Sequence, residues 1–440
     1  MTRRVYLETY GCQMNVADTE LMLGLLGQEG YVATDDPGLA DVMLVNTCAV
    51  RDNAEQRIVG RMGELKRFKR DGVVLGVVGC MAQRLGARLL DETPYVDLVI
   101  GPDGYRALPE LIDGAARGRR AADVEFRRWE HYEDLPQVRT TRVGAFVPVQ
   151  RGCDYRCTFC IVPMTRGRER SRTLADVTNE VRRLADEGVT EVTLLGQTVN
   201  SYHDGTHDFA DLLRTVGAVP GVRRVRFTSP YPTDFTPRVV AAMAEVPAVC
   251  EHVHLPVQSG SSRVLKRMGR RYDRAGFLEC VARLRAAVPT MALTTDIIVG
   301  FPGETADDFD DTLSLVREVA FDDAYTFRYS PRDGTGALRM PDPVPDAEAA
   351  ARLERLIAVV RDVARRRNAR LVGSTHEVLV EKVARRGGLL QSRTRTNKVV
   401  LVDGPLDWIG TYLTVRLTGT TGSTFTGVPV GGRRELAVVG

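Results

Sequence analysis

The feature that most limits how this chain can fold is the regular alternation of short apolar runs with longer helical stretches. V-V-L-G-V-V-G, E-V-T-L-L-G-Q and L-T-T-D-I-I-V-G are examples of the apolar runs, and each is followed by a segment with helical periodicity. Strands separated by helices of about 10–15 residues are typical of parallel βαβ units. The sequence therefore predicts an α/β protein in which helices cover parallel sheets.

Two changes in this pattern divide the 440 residues into three predicted domains. The first series of units predicts a doubly wound parallel-sheet domain over residues 1–118, and the aperiodic stretch 119–144 predicts an interdomain linker. The next β/α units, over residues 145–371, predict a partial (β/α)6 barrel, smaller than the usual barrel of eight units. Residues 372–440 carry short strand patterns with Gly-rich turns, which predict a small all-β, OB-like barrel suited to binding rather than catalysis.

Composition excludes some functional classes but selects none. Hydrophobic residues make up 43% of the chain and charged residues 27%, which is the balance of a globular protein and not of a disordered one. The net charge of +3 is too even to indicate a nucleic-acid partner by itself. No apolar run approaches the ~18 residues of a membrane span, and the N-terminus lacks the apolar core of a secretory signal. We therefore expect a cytoplasmic protein with no membrane partner.

Three cysteines share one position relative to the predicted strands. Cys12, Cys48 and Cys80, here called the N-terminal triad, each come directly after the carboxyl end of a predicted parallel strand. In an open α/β sheet that edge forms the ligand-binding crevice, so these residues are expected to share one site. Three independent buried thiols are the alternative. Disulfides are not expected, because the cytoplasm keeps thiols reduced.

A second group of cysteines forms a C-x3-C-x2-C motif directly after the first predicted barrel strand. Cys153, Cys157 and Cys160 are here called the barrel triad. Three thiolates in one short loop can bind three irons of a 4Fe–4S cluster and leave the fourth iron open to a small molecule. A zinc site is the alternative, but no partner pair of ligands follows at zinc spacing, so the motif favours a cluster. Cys250 and Cys280 lie in apolar surroundings and are predicted to be core residues.

The barrel triad at the start of a partial barrel resembles the signature of the radical S-adenosylmethionine (SAM) enzymes. Further motifs run in the order found in the methylthiotransferases of that superfamily, among them Y-G-C-Q-M-N, V-N-T-C-A-V-R, L-L-G-Q-T-V-N-S-Y, H-L-P-V-Q-S-G-S and T-D-I-I-V-G-F-P-G-E-T. Over essentially the whole chain, the resemblance is strongest to the bacterial family that modifies N6-dimethylallyladenosine in tRNA. It implies that the C-terminal barrel is an RNA-binding TRAM domain.

The resemblance also implies an activity and a set of cofactors. The expected enzyme is a tRNA methylthiotransferase that modifies C2 of N6-dimethylallyladenosine at position 37, next to the anticodon. Each triad would bind one 4Fe–4S cluster, and SAM would bind at the barrel triad, where its cleavage gives a 5′-deoxyadenosyl radical. No side-chain acid or base is implied as catalytic. The implied partners are the tRNA anticodon stem-loop, an electron donor such as flavodoxin or ferredoxin, and a sulfur donor, and we expect a monomer.

Two related families and one different class remain as alternatives. One related family modifies threonylcarbamoyladenosine in tRNA, and the other modifies an aspartate of ribosomal protein S12. The Q-M-N that follows Cys12 favours the dimethylallyladenosine family. A non-catalytic iron–sulfur or zinc protein that binds RNA is the alternative of a different class.

Two further sets of residues are candidates for cofactor and RNA contacts. By resemblance, the loops after the second and fifth barrel strands bind SAM, and the candidates there are Gly196, Gln197, Asp296, Gly300 and Glu304. Basic residues at the barrel mouth and in the TRAM-like segment are candidates for phosphate contacts, namely Lys266, Arg267, Arg270, Arg271, Arg393, Arg395 and Lys398. His252 and His254 alternate onto one face of a strand, and a core role explains them at least as well as a catalytic one.

Overall fold

Six parallel strands form the N-terminal sheet in the order β2-β1-β3-β4-β5-β6. The computed structural model describes residues 2–49, 52–135, 137–139, 143–385 and 387–431. The sheet strands are β1 (Arg3–Tyr10), β2 (Tyr31–Ala33), β3 (Val42–Thr47), β4 (Val74–Gly79), β5 (Leu98–Ile100) and β6 (Ala121–Asp123). The strands β3 and β4 are buried along their whole length, as expected of central strands covered by helices on both faces.

Helices cover both faces of this sheet, which confirms the doubly wound prediction. They are α1 (Gln13–Gln28), α2 (Asp52–Leu65), α3 (Cys80–Leu85), α4 (Ala87–Glu92) and α5 (Leu108–Ala116). One apolar core contains Leu21 of α1 and Ile112 of α5, and a separate core contains Met62 of α2 and Met81 of α3. The sheet has two apolar cores because the helices that connect its strands lie on both of its faces, and each face packs against its own helices.

The segment that was expected to be an interdomain linker belongs in part to this sheet. Ala121–Asp123 pairs in parallel with β5 as an edge strand. Further along, Tyr132 is buried in the apolar core and its hydroxyl donates a hydrogen bond to the carbonyl of Pro102. The sequence pattern missed the strand Ala121–Asp123 because charged residues surround it and no apolar run marks it. Residues 140–142 of the expected linker and 432–440 of the expected last domain lie outside the described residues.

The central domain is an open barrel of parallel strands. The barrel strands are β7 (Ala145–Pro148), β10 (Glu191–Leu195), β11 (Arg224–Phe227), β12 (His252–His254), β13 (Ala292–Val299) and β14 (Asp323–Arg328). Two further strands, β8 (Gln150–Arg151) and β9 (Arg170–Ser171), form a short antiparallel pair. The barrel strands hydrogen-bond into two three-stranded sheets, β11-β10-β7 and β12-β13-β14. A parallel bridge between Val225 and Val249 joins them, so the six predicted strands follow one another around a partial barrel.

Helices surround this barrel, and most begin at a conventional N-cap. They are α6 (Val162–Thr165), α7 (Leu174–Asp186), α8 (Phe209–Gly217), α9 (Pro237–Glu245), α10 (Ser262–Arg267), α11 (Arg274–Ala287), α12 (Ala306–Val319) and α13 (Asp346–Ala369). The side chains of Thr173, Asp208 and Thr305 accept hydrogen bonds from backbone N–H groups of the first turn. Lys266 and Arg267, two of the basic candidates at the barrel mouth, lie in the last turn of α10.

Five strands close into a small C-terminal barrel, which confirms the predicted all-β domain. The strands are β15 (Thr375–Val383), β16 (Leu390–Thr394), β17 (Val399–Val402), β18 (Tyr412–Thr420) and β19 (Thr424–Pro429). They close in the order β15-β16-β17-β19-β18 around a core that includes Val380, Val400 and Phe425. In the described part of the chain, no helix has the length and apolar character needed to cross a membrane.

Candidate iron–sulfur and substrate site

The N-terminal triad lies on three neighbouring loops at one edge of the sheet. Cys12 follows β1 and caps α1, Cys48 follows β3, and Cys80 follows β4 and begins α3. Because β1, β3 and β4 are adjacent in the sheet, their carboxyl ends bring the three loops together. Gly79 has φ of 94°, and a Cβ there would lie 2.5 Å from Asn46 Oδ1. A glycine is therefore required where the chain turns into Cys80.

The thiols of this triad differ in exposure and in acidity. Cys12 is exposed, whereas Cys48 and Cys80 are buried. A hydrogen bond with Cys48 and the charge of Arg166 lower the pKa of Cys12 to about 6. Burial raises the pKa of Cys80. The thiolate is the form of cysteine that binds metal. Because its pKa is lowered, Cys12 is largely in this form at neutral pH even when no metal is bound.

The barrel triad lies on the loop between β8 and α6. The backbone N–H of Cys153 donates to the carbonyl of Gly167, and that of Cys160 donates to the carbonyl of Cys157. Gly269 lies outside this loop and packs against it. A Cβ on Gly269 would lie 2.9 Å from the carbonyl oxygen of Arg156. The loop is therefore fixed by backbone contacts at both ends and along its side.

Burial raises the pKa of Cys153 to about 11 and that of Cys160 to about 12. A coordinated metal ion removes the proton of such a thiol outright. Within the described residues, no three His, Cys, Asp or Glu side chains converge on the position of a single metal ion. The ligands of a cubane bind different irons, so they need not meet at one point.

An arginine lies beside each triad, and this arrangement fits anionic iron–sulfur clusters. Arg166 Nε donates a hydrogen bond to Cys80 Sγ at 3.1 Å, and Arg270 donates to Cys157 Sγ at 3.4 Å. The other hydrogen bonds of Arg270 go to Tyr272 and to the carbonyl of Pro256, with no carboxylate among its partners in the described part of the chain. A largely buried cation without a carboxylate partner is matched by a cluster that carries thiolate charge.

The two cysteine loops contact each other across the domain boundary. Ile161, directly after the barrel triad, packs in one small apolar cluster with Ala49 and Cys80. Asp18 of α1 is fully buried and forms ion pairs with Arg151 and Arg166 of the central domain. The loops of the two triads therefore lie side by side, between the edge of the sheet and the mouth of the barrel.

The residues expected to contact SAM divide into two groups. At Gly196 a Cβ would lie 2.8 Å from Gln150 Oε1, so the glycine is needed for close packing. The buried Oε1 atom of Gln197 has no hydrogen-bond partner among the residues that the structure describes. That orphaned acceptor at the end of β10 fits an ammonium group. Asp296 is half-buried on β13, and its carboxylate lies 3.3 Å from His254 Nε2.

The placement of Glu304 favours a structural role over the expected cofactor contact. Its Oε1 accepts hydrogen bonds from the N–H of Gly300 at 2.9 Å and from Arg352 at 2.6 Å. The carboxylate is buried, and burial raises its pKa. The sequence could not reveal this, because Arg352 belongs to α13, far along the chain from the loop.

The four basic candidates at the barrel mouth also form two groups, those that are exposed and those that contact loops of the protein. Lys266 and Arg271 are exposed, and the guanidinium of Arg271 lies over the ring of Tyr155 at 4.8 Å. Arg267 donates to the carbonyl of Pro302, and Arg270 is directed to the barrel triad. Two of the four candidates therefore remain available to phosphates, and the other two hold loops in place.

The three basic candidates in the C-terminal barrel are engaged in ion pairs. Arg393 pairs with Glu381 of its own barrel. Arg395 pairs with Glu251 and Lys398 pairs with Asp322, both of the central domain. The expectation that these side chains contact RNA is therefore not supported by their placement, because their charges are already matched within the protein.

The turn that carries these residues enters the N-terminal end of the central barrel. Arg224 and Arg226 alternate with core residues of β11, so their side chains point into the barrel. They donate to the carbonyls of Arg393 and Thr394, each at 2.9 Å. This end of the barrel is thereby closed, whereas both cysteine triads lie at the opposite end.

The inner face of the barrel presents polar and aromatic side chains. His252 and His254 both contact Thr294 Oγ1, and burial lowers the pKa of His252 well below its ordinary value.

Both cysteines expected to be core residues, Cys250 and Cys280, are buried.

Sequence reasoning did not single out several residues beside the barrel triad. Glu169 accepts hydrogen bonds from Thr198 and Ser201, and Thr198 in turn lies 3.9 Å from Cys153 Sγ. Arg166 was also missed as a site residue. The signal for both was the concentration of charged residues in the run T-R-G-R-E-R-S-R, shortly after the barrel triad.

Comparison with known proteins agrees with this architecture. Family models match the chain for the uncharacterized protein family UPF0004 over residues 4–101, the radical SAM superfamily over 147–316 and the TRAM domain over 369–430. A radical SAM methyltransferase structure from Kitasatospora setae, with cobalamin and a 4Fe–4S cluster bound, has a TM-score of 0.57 at 17% identity and covers 77% of each chain. This likeness concerns the fold.

Relatives of high identity extend over nearly the whole chain. The tRNA-2-methylthio-N(6)-dimethylallyladenosine synthase of Geobacter sulfurreducens is 47% identical and covers 94% of both chains. The enzyme of the same name from Geotalea uraniireducens is 45% identical and covers 95% of this chain and 97% of its own. An iron–sulfur cluster and SAM are the cofactors that the radical SAM superfamily implies. This chain therefore belongs to the family of tRNA-2-methylthio-N(6)-dimethylallyladenosine synthases, which are radical SAM methylthiotransferases.

Proposed function

We propose that this protein attaches a methylthio group to C2 of N6-dimethylallyladenosine at position 37 of tRNA, using two 4Fe–4S clusters. The observation that carries the proposal is the contact between the loops of the two cysteine triads across one domain boundary, where Ile161 packs against Cys80. One triad would suffice for SAM cleavage alone. A second triad on the adjoining loops supports a reaction that also needs a sulfur-bearing centre near the substrate.

The residues of the chain have separate tasks in this proposal. The barrel triad holds the cluster that binds SAM, and Gln197 offers a buried acceptor to the SAM ammonium group. When bound, the clusters and SAM supply the radical and the sulfur chemistry, which the polypeptide cannot perform itself. Arg270 and Arg166 supply positive charge beside the cysteine sulfurs, and the apolar contact between the loops excludes water.

The inner face of the barrel supports a substrate with a flat base and an apolar substituent. Tyr325 and Phe327 are 61% and 40% exposed, and their strand partners on the same face are Asp296 and Ile298. Ile298 packs on the same apolar cluster as Phe159, which directly precedes Cys160. Exposed rings beside a cluster loop suit stacking with a base turned out of an RNA loop. An apolar prenyl group is the kind of substituent that such rings would bury.

The partners follow from the same chemistry and are part of the proposal. The anticodon stem-loop of tRNA would approach the open end of the barrel, where Lys266 and Arg271 are exposed. An electron donor such as flavodoxin or ferredoxin would reduce the clusters, and a separate sulfur donor would replenish the sulfur that is transferred. We propose that the protein acts as a monomer.

The decisive test is the nucleoside composition of tRNA from cells that lack this protein. We expect 2-methylthio-N6-dimethylallyladenosine to disappear and N6-dimethylallyladenosine to accumulate. Loss of a methylthiolated threonylcarbamoyladenosine instead would favour the related tRNA family, and unchanged tRNA with an unmodified ribosomal protein S12 would favour the other. Failure of the purified protein to cleave SAM to 5′-deoxyadenosine under reducing conditions would favour a non-catalytic RNA-binding protein.

A further inference from the structure

One buried side chain connects the two cysteine triads. Arg166 is 3% exposed and belongs to the central domain, six residues after Cys160. Its backbone N–H donates to the carbonyl of Val162 and so ends α6, while its guanidinium extends into the N-terminal domain. The backbone is therefore fixed by the barrel loop and the tip by the neighbouring sheet.

In the N-terminal domain the guanidinium of Arg166 contacts one cysteine sulfur and one carboxylate. Nε donates to Cys80 Sγ at 3.1 Å, and a terminal nitrogen lies 2.7 Å from Asp18 Oδ2. The second oxygen of Asp18 lies 3.0 Å from Arg151. Asp18 thus pairs with two arginines, and of these two it is Arg166 that hydrogen-bonds to a cysteine sulfur within the described residues.

This arrangement leaves net positive charge beside Cys80. One buried carboxylate shared by two guanidinium groups leaves one positive charge uncompensated within the ion-pair network. Hydrogen bonds to the sulfur ligands are among the factors that set the reduction potential of an iron–sulfur cluster. A charged donor strengthens such a bond and favours the more negative, reduced state of the cluster.

We propose that Arg166 is a positioning residue for the N-terminal cluster, which orients Cys80 as a ligand and raises the reduction potential of that cluster. The inference rests on the proposed function, because it requires a cluster on the N-terminal triad. Its consequence is that the domain that cleaves SAM also adjusts the redox state of the neighbouring centre. Separation of the two domains would remove both effects.

The test uses the full-length chain with Cys153→Ala, Cys157→Ala and Cys160→Ala, so that only the N-terminal triad can hold a cluster. Into this parent we would introduce Arg166→Gln or Arg166→Lys. The matched control is Arg151→Gln, which removes the other partner of Asp18 without touching Cys80. Iron content, the electron paramagnetic resonance spectrum of the reduced cluster and its reduction potential would be measured after anaerobic reconstitution.

We expect Arg166→Gln to make reduction at least tenfold less favourable, a shift of about −59 mV for one electron. Arg166→Lys keeps the charge near Asp18 but loses the Nε donor, so its potential should lie between those of the parent and Arg166→Gln. Arg151→Gln removes one positive charge from the pair that shares Asp18 but keeps the hydrogen bond to Cys80, so its potential should fall less than that of Arg166→Gln and its iron content should stay at the parent value. Loss of iron in Arg166→Gln but not in Arg151→Gln would equally support the positioning of Cys80.

Other results would overturn the inference. Equal potentials in the parent and in Arg166→Gln at full iron content would show that the hydrogen bond has no effect on the cluster. Equal loss of iron in Arg166→Gln and Arg151→Gln would show that both arginines serve only the packing around Asp18. A parent that binds no iron would contradict the second cluster of the proposed function itself, and this outcome is separate from the first two.

Discussion

Lys398 offers the sharpest test of how the C-terminal barrel is used. Its ammonium lies 2.7 Å from Asp322 Oδ1 of the central domain, and both side chains are buried. Burial lowers the pKa of Lys398, so this charge depends on its partner. Replacing the lysine by methionine keeps most of the volume and removes the ion pair. If the residue anchors the barrel, the variant should lose stability at the domain contact.

The size of the effect follows from what remains at Asp322. Removal of one partner of a buried ion pair costs ~3–5 kcal/mol, because the other charge stays buried. Asp322 keeps an ion pair with Arg367 and a hydrogen bond from the N–H of Leu293. The lower end of the range, about 3 kcal/mol, is therefore expected, which corresponds to roughly a 100-fold weaker domain contact.

The assay combines thermal unfolding, limited proteolysis and tRNA binding at several salt concentrations. Lys382→Met is the matched control, because Lys382 is an exposed lysine on the same small barrel. A double-mutant cycle of Lys398→Met with Asp322→Asn would measure the coupling between the two side chains. A Lys398→Met protein of unchanged stability, whose binding slope against salt falls by about 0.9, would refute the reasoning, since that is the signature of one lost phosphate contact.

Further predictions concern the clusters, the substrate, two basic residues at the barrel mouth and Glu304. Anaerobic reconstitution should give about eight irons, and alanine replacement of either triad should halve the iron, but only loss of the barrel triad should stop SAM cleavage; equal loss of cleavage in both variants would contradict separate roles. Compared with prenylated tRNA, unprenylated tRNA should have a lower kcat/KM, which corresponds to a free-energy barrier higher by ~1.5–3 kcal/mol, and Tyr325→Ala should bring the two kcat/KM values closer together; equal rates on both transcripts would refute a prenyl-binding surface. Joint replacement of Lys266 and Arg271 by glutamine should lower the salt slope of tRNA binding by up to ~1.8; an unchanged slope would exclude them from phosphate contact. Glu304→Gln should reduce stability by about 3 kcal/mol, because Arg352 stays buried, while the Kd for SAM stays unchanged; a raised Kd at normal stability would restore the cofactor role.

Sequence patterns specified the elements of this fold well, because strands and helices report their own periodicity. The six barrel strands and the five strands of the C-terminal barrel lie where the patterns predicted them. The positions of Cys12, Cys48 and Cys80 at three strand ends could also be predicted, since adjacent parallel strands must end at one edge. The edge strand at Ala121 could not, because it is only partly buried and lies among charged residues, without the apolar run that marks the other strands.

Assignments that depend on contacts between distant elements were less predictable. Arg395 and Lys398 have the composition of an RNA-binding surface, yet their partners, Glu251 and Asp322, come from another domain. Nothing near a basic residue in the sequence indicates whether its charge will be matched by a carboxylate more than seventy positions away. The same holds for Glu304, whose partner lies on α13.

The distribution of basic residues has a consequence for how RNA is recognised. Basic side chains at the closed end of the barrel are matched by carboxylates or backbone carbonyls, as at Arg224 and Lys398. By contrast, four basic residues around the loop of the barrel triad are exposed, namely Arg156, Arg168, Lys266 and Arg271. Phosphate contacts position a nucleic acid without reading its bases. A ring of charge around the cluster loop would therefore place the RNA backbone at the rim, from which a base turned out of its loop can reach the space between the two triads.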